Sequence, residues 1–316
     1  MTDPTATHCR VCELPATHRV GSYTLCEHHF SLATRERPHV WRTQAVAVGI
    51  LFVLAVAATL VSTIAGRDLA GAPLVLIGLL VALVPAVVWL ALFYREDRVE
   101  PEPRRLVAGV FACGALLAAA VGIPLLENVL QLGGWVGTNL PVQVLANILA
   151  VGLIPAALVF AAVRFTVYGS GEFDEATDGV IYGTAAGLGY ATVLNVGLIV
   201  DAGGANLSFA SIHVVLTALT VGGVGGLVGF FMSGQKLRAR PAWWSAAGVA
   251  MGAVLIGLYV TIRTVVSTGT ATIMGVLAGP WVGLILAVIL AGSITVLLTR
   301  TIRVEIARAT STGVAE

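Results

Sequence analysis

The sequence predicts an all-α integral membrane protein with about eight transmembrane helices, preceded by a small zinc-finger-like module. Hydrophobic residues make up 57% of the 316 and charged residues only 11%, against roughly 25% charged in soluble domains. The mean hydropathy is +0.92. The 17 acidic and 18 basic side chains fall almost wholly between long apolar runs, and their net charge of +1 is too small to mark a nucleic-acid binder.

A helix keeps about 20 apolar residues together to cross the hydrocarbon core. Eight windows qualify: residues 43–65, 72–94, 106–126, 142–168, 179–200, 207–232, 242–262 and 271–298. The first follows 42 largely polar residues and is too long for the apolar core of a secretory signal, so it is read as a span.

Basic residues flanking the spans set orientation. An N-terminus inside puts 16 of the 18 on the cytoplasmic side and leaves only Arg67 and Arg263 outside. The predicted protein is therefore a multi-pass protein of the plasma membrane with both termini cytoplasmic. Its expected divisions are a cytoplasmic module over 1–42, a transmembrane domain over 43–300 and a cytoplasmic tail over 301–316.

Small residues recur four apart at Gly183/Gly187, Gly222/Gly226, Gly225/Gly229, Gly248/Gly252 and Gly275/Gly279/Gly283. Such faces let helix backbones approach closely in lipid, where apolar burial drives no association. The fifth to eighth spans are expected to form one bundle. Cys113, inside the third span, is expected to be an apolar core residue.

Ahead of the spans, Cys9-x2-Cys12 is followed after thirteen residues by Cys26-x2-His29. Two closely spaced ligand pairs suit a tetrahedral structural zinc ion. Residues 18–25 between them predict a short hairpin with a Gly-Ser turn, and Cys26 opens a brief helix. A segment this short cannot bury a core of its own, so a metal staple is the expected source of its stability. His28 competes with His29 for the fourth position, and His8 and His18 are spare candidates. The cytoplasmic placement argues against a disulfide. With five arginines and four acids, residues 1–42 have no charge pattern for nucleic acid.

Three stretches within the membrane region carry more specific signals. Tyr94-Arg-Glu-Asp-Arg-Val-Glu-Pro-Glu-Pro103 lies between the second and third spans. Residues 172–190 read Glu-Phe-Asp-Glu-Ala-Thr-Asp-Gly-Val-Ile-Tyr-Gly-Thr-Ala-Ala-Gly-Leu-Gly-Tyr, and His213-x-x-x-Thr217 lies in the sixth span. In order and spacing they resemble the PrsW-like intramembrane protease family over about residues 75–262. Asp178 also suits a polar helix start. An ionisable His213 inside a span is costly and usually functional.

The resemblance implies an active site that this chain lacks. A Glu-Glu pair followed by Lys is expected after a proline on the fourth span, but Leu158, Val159 and Ala162 follow Pro155 here. The Glu expected before Asn on the fifth span is Leu194, preceding Asn195, and a second histidine expected on the seventh span is absent. His213 and Asn195 remain as the remnant catalytic candidates. At about 1.5 Å per residue, Leu158, Leu194 and His213 lie roughly 15 to 20 Å from the cytoplasmic side, near one depth. Activating water there needs a carboxylate, or a metal held by carboxylate and histidine.

Three functions are open from sequence. The first is a non-catalytic relative that binds a membrane partner, such as a single-span protein, within the lipid bilayer. The second is a protease (peptidase) with relocated groups, with Glu127 and His213 the nearest pair. The third is a small-solute transporter, which the scarcity of intramembrane charge and the lack of an evident inverted repeat argue against. Cysteines introduced at Gly133 and Gly203 should label from outside intact cells, whereas those at Glu100 and Arg238 should not. Labelling of either cytoplasmic position would overturn the orientation.

Overall fold

A computed structural model describes residues 8–9, 12, 14–20, 23–28, 30, 49–53, 56–57, 72–96, 103–131, 139–173, 176–201, 207–237, 240–273 and 278–312. A two-stranded antiparallel hairpin, β1 (His18–Val20) and β2 (Tyr23–Leu25), pairs His18 with Leu25 and Val20 with Tyr23. Helical residues at 49–53 and 56–57 follow, and after them, among the described residues, come the helices α1 (Ala72–Glu96), α2 (Arg104–Val129), α3 (Leu140–Thr166), α4 (Ala176–Asp201), α5 (Leu207–Thr217, continuing to Leu237), α6 (Trp243–Ile273) and α7 (Ala278–Thr312).

Among the described residues six helices are long and apolar enough to cross a membrane, and α1 is apolar over Val75–Ala91. These seven are the second to eighth predicted windows. Most of the first lies outside the described residues, but its Leu51 is fully buried in a cluster with Trp89, Leu216 and Leu284.

The last boundaries differ from those expected. Residues 263–273 continue α6 to Ile273, and α7 starts at Ala278 rather than Ala271 and runs on to Thr312. No proline interrupts the end of α6, and Thr264 turns its hydroxyl onto the Val260 carbonyl, so polar side chains there are accommodated without breaking the helix.

Local chemistry sets other ends. Asn139 caps α3 by accepting a hydrogen bond from the Val142 amide at 3.0 Å, just ahead of Pro141. Asp178 stands buried in the first turn of α4, where a carboxylate complements the helix dipole, instead of preceding the helix as a cap. α2 stops at Gln131, whose φ of 46° lies in the left-handed region. Single π turns interrupt α2 at Ala118–Gly122, α3 at Asn147–Gly152 and α5 at Ala218–Gly222.

The core is the antiparallel pair α4 and α5. A Cβ on Gly183 would lie 2.2 Å from the Gly225 carbonyl oxygen, and one on Gly187 would lie 2.4 Å from that of Val221. The small-residue faces legible in the sequence therefore meet backbone to backbone. α2 packs on the other side of α4, Gly114 against Ala186 and Gly189 against Phe111. α3 meets α6 at Gly152 against Ala253 and Gly257 against Ile148, joined by a buried Asn147 Nδ2 bond to Thr261 Oγ1 at 2.9 Å. The bundle thus includes the third and fourth spans as fully as the last four.

At one rim of the bundle, Lys236 ties the α3–α4 loop to α5. Its Nζ donates to the Ser170 carbonyl at 2.9 Å and lies 5.3 Å from the centre of the Phe173 ring. Arg164 covers the neighbouring Tyr168 ring at 4.4 Å. Burial pushes the Tyr168 hydroxyl pKa up, more than the nearby Arg164 charge lowers it.

Gly229 is the tightest of these contacts: a Cβ there would sit 1.7 Å from the Gly179 carbonyl oxygen, while Gly197 has nothing within 4 Å. Gly229→Ala should therefore cost about 2 kcal/mol or more, whereas Gly197→Ala should be neutral or mildly stabilising. Thermal inactivation midpoints of the two variants measure this. Equal midpoints would rule out the close α4–α5 contact.

Candidate functional site

The glycine contacts fix the register between α4 and α5. Each step of four residues along α4, from Gly179 through Gly183 to Gly187, matches four residues back along α5, from Gly229 through Gly225 to Val221. Two further steps bring Asn195 opposite His213. Consistent with this, Asn195 Nδ2 donates to the carbonyl of Val214 at 3.3 Å. Asn195 is 1% exposed and its Oδ1 has no hydrogen-bond partner, while His213 is half-buried. The two remnant positions thus share one level of the bundle, but Val221, whose cluster receives Leu158, is eight residues or about 12 Å along α5 from His213, so Leu158 and His213 do not share the one depth expected of them.

The positions where the resemblance calls for acids converge as well, but on apolar surroundings. Leu158 on α3 and Leu194 on α4 both pack on one buried cluster made by Ala118, Tyr190, Ala191 and Val221. Ala118 and Val221 belong to the π turns of α2 and α5, so local helix distortion, a frequent feature of functional sites, frames this layer. Val159 and Ala162 are 1% and 0% exposed, in the main core with Val107, Val110, Ala186 and Val228. A glutamate at 159 or a lysine at 162 would be surrounded by aliphatic side chains.

Tyr190 carries a polar group into this layer. Its hydroxyl is buried without a hydrogen-bond partner and lies against Gly122, where a Cβ would fall 2.4 Å from the oxygen. A neutral phenol in such a place can hydrogen-bond but cannot supply the base for hydrolysis. Glu127, the relocated-base candidate, is exposed at the end of α2. Cys113 is half-buried against the main core, in keeping with an apolar role.

Sequence reasoning missed the neighbours of His213 on α6. Arg263 lies close enough for its charge to act on the imidazole, and it also reaches the hydroxyl of Tyr259. Tyr259 and Arg263 stand one helical turn apart, a spacing visible in the chain, but only the α5–α6 packing brings them to His213. The guanidinium contributes positive charge in the neighbourhood of the imidazole.

In the N-terminal segment, the sulfurs of Cys9, Cys12 and Cys26 all lie within 4.8 Å of one another, with Cys12 and Cys26 at 3.6 Å. The Cys9 amide donates to the Leu14 carbonyl at 2.7 Å and Thr24 Oγ1 to the His8 carbonyl at 2.7 Å, closing the loop onto the hairpin. A backbone hydrogen bond at Leu14 lowers the Cys12 pKa, but lost hydration and the crowded Cys26 and Cys9 sulfurs outweigh it and raise the thiol above its ordinary value. His18 bonds to Glu27 at 2.5 Å and stacks on Phe30, and His8 and His28 are exposed. His29 lies outside the described residues. The three cysteines are the one metal-competent cluster among the described residues, and none occurs within the spans.

The intramembrane donor set does not fit a catalytic metal. Leu158, Val159 and Leu194 offer no lone pairs in their side chains, and among the described residues no group of three metal-ligating side chains includes His213.

The profile of the PrsW family, described as intramembrane metalloproteases, matches residues 102–292. Protease PrsW of Bacillus subtilis (strain 168) is 26% identical over 187 residues, covering 58% of this chain and 82% of that protein. Protease PrsW of Geobacillus kaustophilus (strain HTA426) is 28% identical over 158 residues, covering 50% of this chain and 66% of that protein. No solved structure matches the chain.

Proposed function

The chain belongs to the PrsW family, and from that premise we propose that it is a non-catalytic member that binds a single-span membrane protein without cutting it. The observation that carries this reading is the apolar cluster receiving both Leu158 and Leu194. Peptide hydrolysis needs a group that deprotonates or polarises water, and two leucines in van der Waals contact with Tyr190 and Ala118 can do neither. Replacing acids by leucines also removes intramembrane charge, each worth about 2.5 to 3.5 kcal/mol on insertion scales, at positions that no longer need it. Arg263 beside His213 argues in the same direction, because a neighbouring cation opposes a metal ion at the imidazole. The reading places the protein in the plasma membrane with both termini in the cytoplasm.

The N-terminal module is proposed to hold one structural zinc ion through Cys9, Cys12, Cys26 and His29. A tetrahedral site with Zn–S bonds of about 2.3 Å has sulfurs about 3.8 Å apart, and the Cys12–Cys26 separation of 3.6 Å supports that geometry. Zinc would supply cross-linking energy to a hairpin with almost no core of its own.

Two outcomes are expected. Reconstituted wild-type protein should leave single-span substrates uncut, and neither His213→Ala nor Glu127→Ala should change that. Cleavage by wild type that either substitution abolishes, with folding intact, would establish a relocated active site. Protein purified without chelators should contain about one zinc per chain by elemental analysis, and Cys12→Ser should lose it while leaving the thermal midpoint of the membrane bundle unchanged. A zinc-free wild-type protein would end the metal assignment.

A further inference from the structure

At the end of α6 remote from Trp243, three helices bring polar groups together around one guanidinium. Tyr259 Oη donates to the Gly283 carbonyl on α7 at 3.2 Å and also reaches Thr220 on α5. The Arg263 stem lies directly over Gly283: a Cβ there would be 3.0 Å from Arg263 Cδ and 3.2 Å from Cγ. Gly283 is thus a cradle that lets the arginine lie between α6 and α7 with its head near Tyr259 and His213. No carboxylate pairs with Arg263 among the described residues. A half-buried guanidinium carries five donors in a planar fork suited to an oxyanion, and an uncompensated one at a membrane is expensive.

Its depth indicates which anion. Trp243 is 62% exposed, and Arg240 covers the adjoining Trp244 ring at 5.1 Å, an arrangement typical of a membrane–water boundary. Arg263 follows Trp243 by about 20 residues along one unbroken helix, or about 30 Å, which is one hydrocarbon thickness. The guanidinium therefore stands at the level of the opposite layer of phosphates. On the adjoining face of α6, Leu258 and Ile262 are exposed and lie below the level of Arg263, giving acyl chains an apolar surface under the charge. A soluble anion would gain nothing from that surface.

We propose that Arg263, held by Gly283 and flanked by Tyr259 and His213, forms a subsite for the phosphate of a membrane phospholipid at the boundary opposite Trp243. Arg263 donates to the phosphate oxygens, Tyr259, with its hydroxyl bonded to the Gly283 carbonyl, steadies the cradle under the arginine, and the lipid tails lie along Leu258 and Ile262.

The test uses the full chain, extracted with phosphatidylglycerol and analysed by native mass spectrometry. Wild type should retain about one lipid per chain, and Arg263→Met should reduce retention about tenfold, the loss of one charge-assisted contact. Arg263→Lys should retain an intermediate fraction. Arg105→Met, at the exposed start of α2, should behave as wild type. Gly283→Leu keeps the charge but displaces the stem, and should lose lipid as Arg263→Met does. If Arg263→Met does not fold, Gly283→Leu and Tyr259→Phe carry the same expectation. Equal retention by wild type and the folded variants would overturn the proposal. Excess inorganic phosphate should leave the lipid bound, and its release by phosphate alone would assign a free-anion site instead.

Discussion

Backbone-to-backbone contact between α4 and α5 underlies the rest of this bundle. In lipid there is no hydrophobic gain from joining two apolar helices, so they stay together through dense packing. Gly179, Gly183 and Gly187 facing Gly229, Gly225 and Val221 remove the side chains that would hold the axes apart. Because these contacts are with carbonyl oxygens and not with flexible side-chain ends, the register between the two helices cannot drift. The register then sets which residues meet at depth: Asn195 comes opposite His213, and Tyr190 turns toward Gly122 and Ala118 on α2.

The family is described as intramembrane metalloproteases, and the layer between α3 and α4 in this chain is apolar. The π turns in α2 and α5 frame this layer. The side chains that enter it from α3 and α4 are Leu158 and Leu194. Packing has replaced polarity there, while Tyr190 Oη and Asn195 Oδ1 remain buried without hydrogen-bond partners. Each such orphan costs about 1 to 3 kcal/mol, offset by the close packing around it. The strongest charge near His213 is Arg263, of the wrong sign for a metal site.

The N-terminal segment obeys a different constraint. Its described residues form two three-residue strands, one short helical stretch and a cluster of three cysteines with Phe30. Stability must come from a few strong bonds, and the sulfurs stand where a tetrahedral ion would gather them. The histidines divide by role: His18 is engaged by Glu27 and Phe30, which removes it from the spare ligands.

Hydropathy and charge placement alone determined that the chain is a membrane protein, because about 20 apolar residues per span is a requirement of bilayer thickness. The hairpin over 18–25 and the small-xxx-small faces of α4 and α5 were legible for the same kind of reason, being local patterns with local causes. That residues 158, 159 and 194 are apolar needs only the identity of the residues. The end of α6 was not legible, because a threonine that looks like the start of a loop, Thr264, bonds back to Val260 on its own helix. Gly114, Gly152 and Gly257 carry no repeat to mark them, and only their neighbours Ala186, Ala253 and Ile148 make them indispensable. Arg263 reads in sequence as an outer charge. Its approach to His213 and its seat on Gly283 depend on how α5, α6 and α7 pack, and contacts between residues this far apart in the chain are decided by tertiary structure alone.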